Sequence, residues 1–254
     1  MGADRSRRRS ESRFDLTGLL APGPHNNKKI LYGRRQGRPL RKAQRDRLSG
    51  FLPKISIESL QSLDEPHTLF DPPVKVIWLE VGFGGGEHLA AQAQAHTEIG
   101  FIGCEPFING VASLVRTVEI ADIKNIRVYA GDARLLIKAL PDRSIERCFI
   151  LFPDPWPKRR HHRRRIISPE TLTELARVMV DSARLRLASD HRDYVRWMLS
   201  LTLRNGAFEW RAKGPDDWRT RPHDWPATRY EEKAAQRGET SIYLEFIRRA
   251  RADK

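Results

Sequence analysis

Short apolar runs alternate with amphipathic stretches along most of this chain. VKVIWLEV (74–81) is β-branched and apolar, and Gly82 ends it, which predicts a strand. GFIGCE (100–105), NIRVYAG (125–131), IERCFILF (145–152) and ARLRLAS (183–189) predict four more, with AFEWR (207–211) and SIYLEFIRR (241–249) as the last two. Helical spacing fills the intervals at 87–96, 108–121, 133–140, 168–179 and 192–203. The fourth of these begins with Ser168 as N-cap and Pro169 in the first turn. A short helix is predicted over 53–63, while 212–239 is polar and reads as a structured loop.

Strands alternating with helices predict βαβ units. The fold class expected is α/β, one doubly wound, Rossmann-like parallel sheet covered on both faces, with ligands at the C-terminal ends of its strands. Residues 1–50 have little periodicity and are expected to be a basic, flexible tail. Residues 51–254 are expected to form the domain.

Charge adds a partner to this picture. The chain of 254 residues carries a net charge of +14. Residues 1–50 hold fourteen Lys or Arg against four Asp or Glu, and 158–165 hold six more cations and no acid. The excess is therefore concentrated in a tail and one loop, which suits a polyanion: nucleic acid first, an anionic membrane surface second. MGADRS fits a loose acylation pattern, but a plain basic tail is the preferred reading. No run is apolar enough to span a bilayer, and RSRRRS has no apolar segment behind it to make a secretory signal. Cys104 and Cys148 lack metal-ligand spacing and read as buried small hydrophobes in a reducing, cytoplasmic compartment.

Candidate chemistry lies at the predicted strand ends. In LEVGFGGGEH, Gly82, Gly84 and Gly86 allow a tight turn and close backbone approach by a ligand. The dinucleotide pattern fails, because Glu87 stands where its third glycine belongs. Glu80 at the mouth of a pyrophosphate site would repel the ligand, whereas it would welcome the sulfonium and ammonium of S-adenosylmethionine. Glu105 ends the second strand, 23 residues after Gly82, where a carboxylate can accept from two ribose hydroxyls. Asp132 ends the third, placed to accept from an adenine amine. Asp154 follows the fourth, inside FPDPWPKRRHHRRR (152–165). Its two prolines make a rigid turn, and the cations after it imply a phosphate-bearing acceptor. Trp156 either stacks on a base or fills the core. Lys158, Arg159, Arg160 and Arg163 to Arg165 are expected on phosphates. His161 and His162 have no metal spacing, and no metal is expected.

LEVGFGGGEHL, GCEPFINGV, AGDARLL, FPDPWPKRRHHRRRI and TRYEEKAAQRG before SIYLEF resemble, in order and spacing, the motifs of bacterial tRNA (guanine-N(7))-methyltransferases. The resemblance runs from about Val74 to Arg248. It implies a class I methyltransferase sheet of seven strands with the last antiparallel, S-adenosylmethionine as methyl donor, and a guanine in the variable loop of tRNA as acceptor. It also implies Glu80, Glu105, Asp132 and Asp154 as cofactor-binding acids, with Asp154 catalytic as well. Lys158, Asp190, Thr228, Arg229, Tyr230 and Glu231 become substrate-binding positions. A monomer is favoured, and the arginine-rich first fifty residues lie outside the pattern. Three rivals stand beside this reading: another S-adenosylmethionine-dependent N-methyltransferase, an RNA-binding protein on an inactive methyltransferase fold, and a nicotinamide-dependent oxidoreductase. Glu80 and the broken glycine pattern disfavour the last.

Overall fold

The computed structural model describes residues 32–226, 231, 236–238 and 240–252. The expected residues 1–31 of the basic tail, and Thr228, Arg229 and Tyr230, lie outside this set.

Seven strands form one sheet in the order β3-β2-β1-β4-β5-β7-β6. They are β1 (Ile77–Val81), β2 (Gly100–Cys104), β3 (Ile126–Tyr129), β4 (Ile145–Leu151), β5 (Met179–Ser189), β6 (Phe208–Trp210) and β7 (Ile242–Arg248). β1 to β5 run parallel, and β7 runs antiparallel to both β5 and β6. This is the class I methyltransferase arrangement. The strand order reverses between β1 and β4, so the crevice at their C-terminal ends is where such a sheet receives ligands.

Alternation along each strand divides the core. Ile77, Leu79 and Val81 of β1, with Ile102, Cys148 and Ile150, pack on one face. Trp78, Phe101 and Phe149 pack on the other. The crossover helices are α3 (Glu87–Ala95), α4 (Ile108–Ile120), α5 (Ala133–Ala139), α6 (Pro169–Val178) and α7 (Arg192–Asn205). Ser168 caps α6 by accepting from Thr171 N–H at 3.2 Å, as its sequence predicts. α6 passes directly into β5, which begins four residues earlier than the apolar pattern showed.

The folded body takes in residues ahead of the boundary expected at 51. α1 (Lys42–Gly50) packs on α4, with Leu48 fully buried and Leu40 nearly so. Arg47 pairs with Glu119 of α4. KAQRDRLSG offers a single large apolar residue, too few to show a period, so this helix is stabilised by its tertiary contacts. The helix expected over 53–63 is instead one turn, α2 (Leu52–Ile55), and a 3-10 turn at Leu60–Ser62. Between them Ser56 bridges to Val128 of β3, and Ile57 N–H donates to Val128 at 2.8 Å. A short helix, α8 (Asp216–Arg219), interrupts the polar loop before β7.

Candidate active site

The loop after β1 turns through three glycines in the left-handed region: φ is 74° at Gly82, 57° at Gly84 and 82° at Gly86. Only glycine adopts these values cheaply, and the result is a bare backbone ledge at the start of α3. Gly110 keeps that ledge in place from below. A Cβ there would lie 2.1 Å from the Gly84 carbonyl, so α4 can approach the loop only with glycine at this position. A glycine in the first turn of the helix, where a side-chain-bearing residue would favour the helix more, was the available sequence signal for this approach.

Glu105 closes β2 and holds the ledge. One carboxylate oxygen accepts from Gly84 N–H at 2.8 Å and the other from Phe107 N–H at 2.9 Å. Burial pushes this carboxyl up to about 7; the two N–H donors pull the other way, and Asp154 and Glu80 add to the rise. Asp132 caps α5 through Arg134 N–H at 3.0 Å, with the Arg134 guanidinium 3.5 Å away. Asp154 sits at the open side of the cleft, where partial enclosure raises its carboxyl.

These groups line one cleft of about 390 Å³: Gly82, Gly84, Glu105, Asp132 and Asp154, together with Trp156, Phe107 and the chain at Tyr32–Arg34. Glu80 is not on its wall. Its carboxylate is buried behind the glycine loop, 2.7 Å from His88 Nδ1, so the expected acid at the mouth is turned inward. Gly86 also stands behind the wall, over Leu114. Cys104 lines the cleft floor, and both cysteines are buried free thiols.

The turn after β4 is held from three sides. Phe152 N–H donates to Ala188 of β5 at 2.8 Å. Phe152 and Trp156 have φ of 50° and 43°, strained values for such residues, and they bracket the Pro153–Asp154–Pro155 segment. Arg165 Nε donates to Pro155 O at 2.8 Å, while its NH2 donates to Asp193 at 2.6 Å and its plane lies over Tyr194 and Trp197. Arg165 is fully buried, so it is a brace for the turn and not one of the expected phosphate contacts. Arg164 is likewise engaged, over the rings of Tyr32 and Trp156. Lys158, Arg159, Arg160 and Arg163 remain as the solvent-facing cations of the loop, most of which forms a 3-10 helix at Arg159–Arg164. Trp156 belongs to the cleft wall and not to the core.

Of the remaining expected positions, Asp190 and Glu231 lie among the described residues, near the β5–β7 pairing and off the cleft wall. Asp190 follows Ser189, which pairs with Ile242 at the start of β7, and it accepts from Arg237 at 2.7 Å. Glu231 accepts from the hydroxyl of Tyr243, which pairs with Ala188. An unforeseen charge network anchors the polar loop ahead of them: Arg186 donates to Asp224 at 2.8 Å and to Glu245 at 2.7 Å. Beside it Trp225 is buried against His88 and Tyr243. Arg186 and Asp224 lie 38 residues apart, and nothing in their local sequence announces the pairing.

No group of His, Cys, Asp and Glu suited to a metal occurs among the described residues, and no described helix is long and apolar enough to cross a membrane.

A family model described as "Putative methyltransferase" matches residues 74–244. The tRNA (guanine-N(7)-)-methyltransferase of Rhodospirillum rubrum is 50% identical over 87% of this chain and 89% of its own. The enzyme of the same name from Agrobacterium fabrum is 46% identical over 86% of this chain and 95% of its own. That from Paracoccus denitrificans is 46% identical over 89% and 98%.

Proposed function

We propose how this site works from a premise its relatives establish: the chain belongs to the tRNA (guanine-N(7))-methyltransferase family. It transfers a methyl group from S-adenosylmethionine to the 7-nitrogen of a guanine in RNA of the transfer class. We place the acceptor in the variable loop. We read the protein as a cytoplasmic monomer that does not engage membranes.

The cleft suits the cofactor. The glycine ledge leaves room for a ligand against the backbone. Glu105 spends one lone pair of each oxygen on a backbone donor and keeps the others for ribose hydroxyls. Asp132 keeps acceptor capacity toward the cleft for an adenine amine. Glu80 acts through His88 and the loop, as a buried support.

When bound, S-adenosylmethionine supplies the electrophilic methyl group. The guanine 7-nitrogen has an in-plane lone pair and no proton, so no residue is needed as a general base. The chain's task is orientation, bringing nitrogen and methyl to about 3–3.5 Å in line. Asp154 is the acid placed for this. Its carboxylate can accept from the N(1)–H and amino edge of guanine, or from the methionine end of the cofactor. In either pose it offsets the charge that the purine gains. Lys158, Arg159, Arg160 and Arg163 face outward beside it and hold RNA phosphates. Asp190 and the Thr228–Glu231 segment complete the substrate side.

The observation that carries this reading is the convergence of Gly82, Gly84, Glu105, Asp132 and Asp154 on one cleft at the strand-order reversal. The test is methyl transfer from labelled S-adenosylmethionine to unmodified tRNA, followed by nucleoside analysis. Label in 7-methylguanosine supports it. Label in another nucleoside overturns the acceptor. Asp154→Asn is expected to lower kcat by about 10²- to 10³-fold with tRNA affinity held. Equal loss of both removes Asp154 from the chemistry.

A further inference from the structure

Two aromatic rings at the mouth of the cleft share one guanidinium. Arg164 Cζ lies 5.2 Å from the Tyr32 ring centroid and 4.9 Å from that of Trp156. All three side chains line the cleft with Asp154. Trp156 comes from the turn after β4. Tyr32 comes from the far end of a strap, residues 32–41, that precedes α1.

The strap is fastened to the start of α4. Arg35 O accepts from Ile108 N–H at 3.0 Å, an otherwise unpaired donor of the first helical turn. The Asn109 amide clasps the strap at two points: Oδ1 accepts from Gly37 N–H at 2.8 Å and Nδ2 donates to Arg38 O at 2.9 Å. Gly37 lies against the Phe107 ring, where a Cβ would come within 2.9 Å. Phe107 N–H in turn donates to Glu105. The turn that orients the Glu105 carboxylate therefore also sets where the strap runs.

We propose that Tyr32 and Trp156, bridged by Arg164, form the stacking wall on which the acceptor purine of the RNA lies. The reacting base is then positioned in part by a strap residue outside the 74–244 family match. The proposal rests on the reading of the reaction given above.

Three features support it. Unstacked RNA bases are held on aromatic faces and guanidinium planes, and this wall joins both kinds. It is held on each side: by the strained backbone at Phe152 and Trp156 with the Arg165 brace, and by the Asn109 clasp. Asp154 stands two residues before Trp156 on the same cleft, so a base lying on the wall presents its hydrogen-bonding edge to that carboxylate. Face and edge are then read by separate groups.

The experiment uses the full chain and tRNA with Tyr32→Ala and Tyr32→Phe. Tyr32→Ala is expected to lower kcat/KM for tRNA by about 5- to 150-fold, the loss of one base–aromatic stack. Its Kd for S-adenosylmethionine, by calorimetry, is expected to stay within about threefold of wild type, and Tyr32→Phe is expected to restore activity to within about twofold, because the ring and not the hydroxyl stacks. tRNA with 2-aminopurine in place of the acceptor guanine is expected to lose fluorescence on the wild-type chain and on Tyr32→Phe. Saturated with Tyr32→Ala it is expected to lose less, because Trp156 alone remains to stack on it. The wall is overturned if Tyr32→Ala leaves kcat/KM unchanged, if Tyr32→Phe is as impaired as Tyr32→Ala, or if cofactor affinity falls as far as activity. The last result would make Tyr32 a cover for the cofactor. A wild-type chain that forms no 7-methylguanosine overturns the reaction itself, and the wall with it.

Discussion

Glu105→Gln separates the cost of a buried carboxylate from its use. Burial raises this carboxyl from its ordinary 4.5 to about 7, despite the N–H donors of Phe107 and Gly84. The unfolded chain titrates near the ordinary value. The native chain therefore keeps a proton between about pH 4.5 and about pH 7 that the unfolded chain has released. Native stability falls as pH rises through that window, and above it the whole penalty is present. A difference of about 2.5 in pKa corresponds to about 3 kcal/mol. The amide of the variant does not titrate, but it turns an NH2 group toward one of the two backbone donors, which costs about 1–3 kcal/mol at every pH. Relative to wild type, Glu105→Gln is thus expected to be the less stable chain at pH 4.5 and to gain about 3 kcal/mol by pH 8.

Urea denaturation of both chains at half-unit pH steps measures this directly, since groups common to both cancel in the difference. Cofactor binding gives a second reading. Ribose hydroxyls donate to the ionised form, so wild-type affinity for S-adenosylmethionine is expected to weaken about tenfold from pH 8 to pH 6 and the variant's to stay flat. A stability difference constant within about 0.5 kcal/mol across the window would refute the raised carboxyl. The same pH slope of cofactor affinity in both chains would refute its role in binding.

Other perturbations test other parts of the site. Gly110→Ala drives a methyl group into the Gly84 carbonyl, and a melting scan is expected to show a loss of about 5–10 °C, the mark of a few kcal/mol in a chain of this size. Replacing Lys158, Arg159, Arg160 and Arg163 together with alanine is expected to flatten the salt dependence of tRNA binding by up to about three in log–log slope, with melting unchanged. Arg165→Ala should do the reverse, lowering the melting temperature through loss of the Pro155 and Asp193 contacts while leaving the salt slope alone. Asn109→Ala is expected to speed proteolytic nicking of residues 32–38 with little change in global unfolding, because only the strap is released.

The sequence by itself determined the parts of this protein whose causes are local. Strand and helix order follows from periodicity, because a parallel sheet needs apolar runs and its crossovers need amphipathic ones. The glycine loop was legible because left-handed backbone demands that residue. Glu105, Asp132 and Asp154 were legible because each ends a strand that the sheet aligns.

Other features depended on which distant segments meet. The six cations of 158–165 are alike in a string of letters, yet Arg165 is buried under the turn, Arg164 lies across two rings and four face solvent. Glu80 sits where a cleft acid belongs, but His88, across the glycine loop in the first turn of α3, draws its carboxylate inward. α1 has one buried leucine and too little pattern to announce itself; α4 supplies the surface that makes it a helix. Tyr32 read as tail, and it is the fastening of the strap to the start of α4, by Asn109 and by Ile108 N–H, that brings it to the cleft. Periodicity reports that a residue is buried or exposed, but not which partner meets it, because partners are chosen by the return of the chain through space.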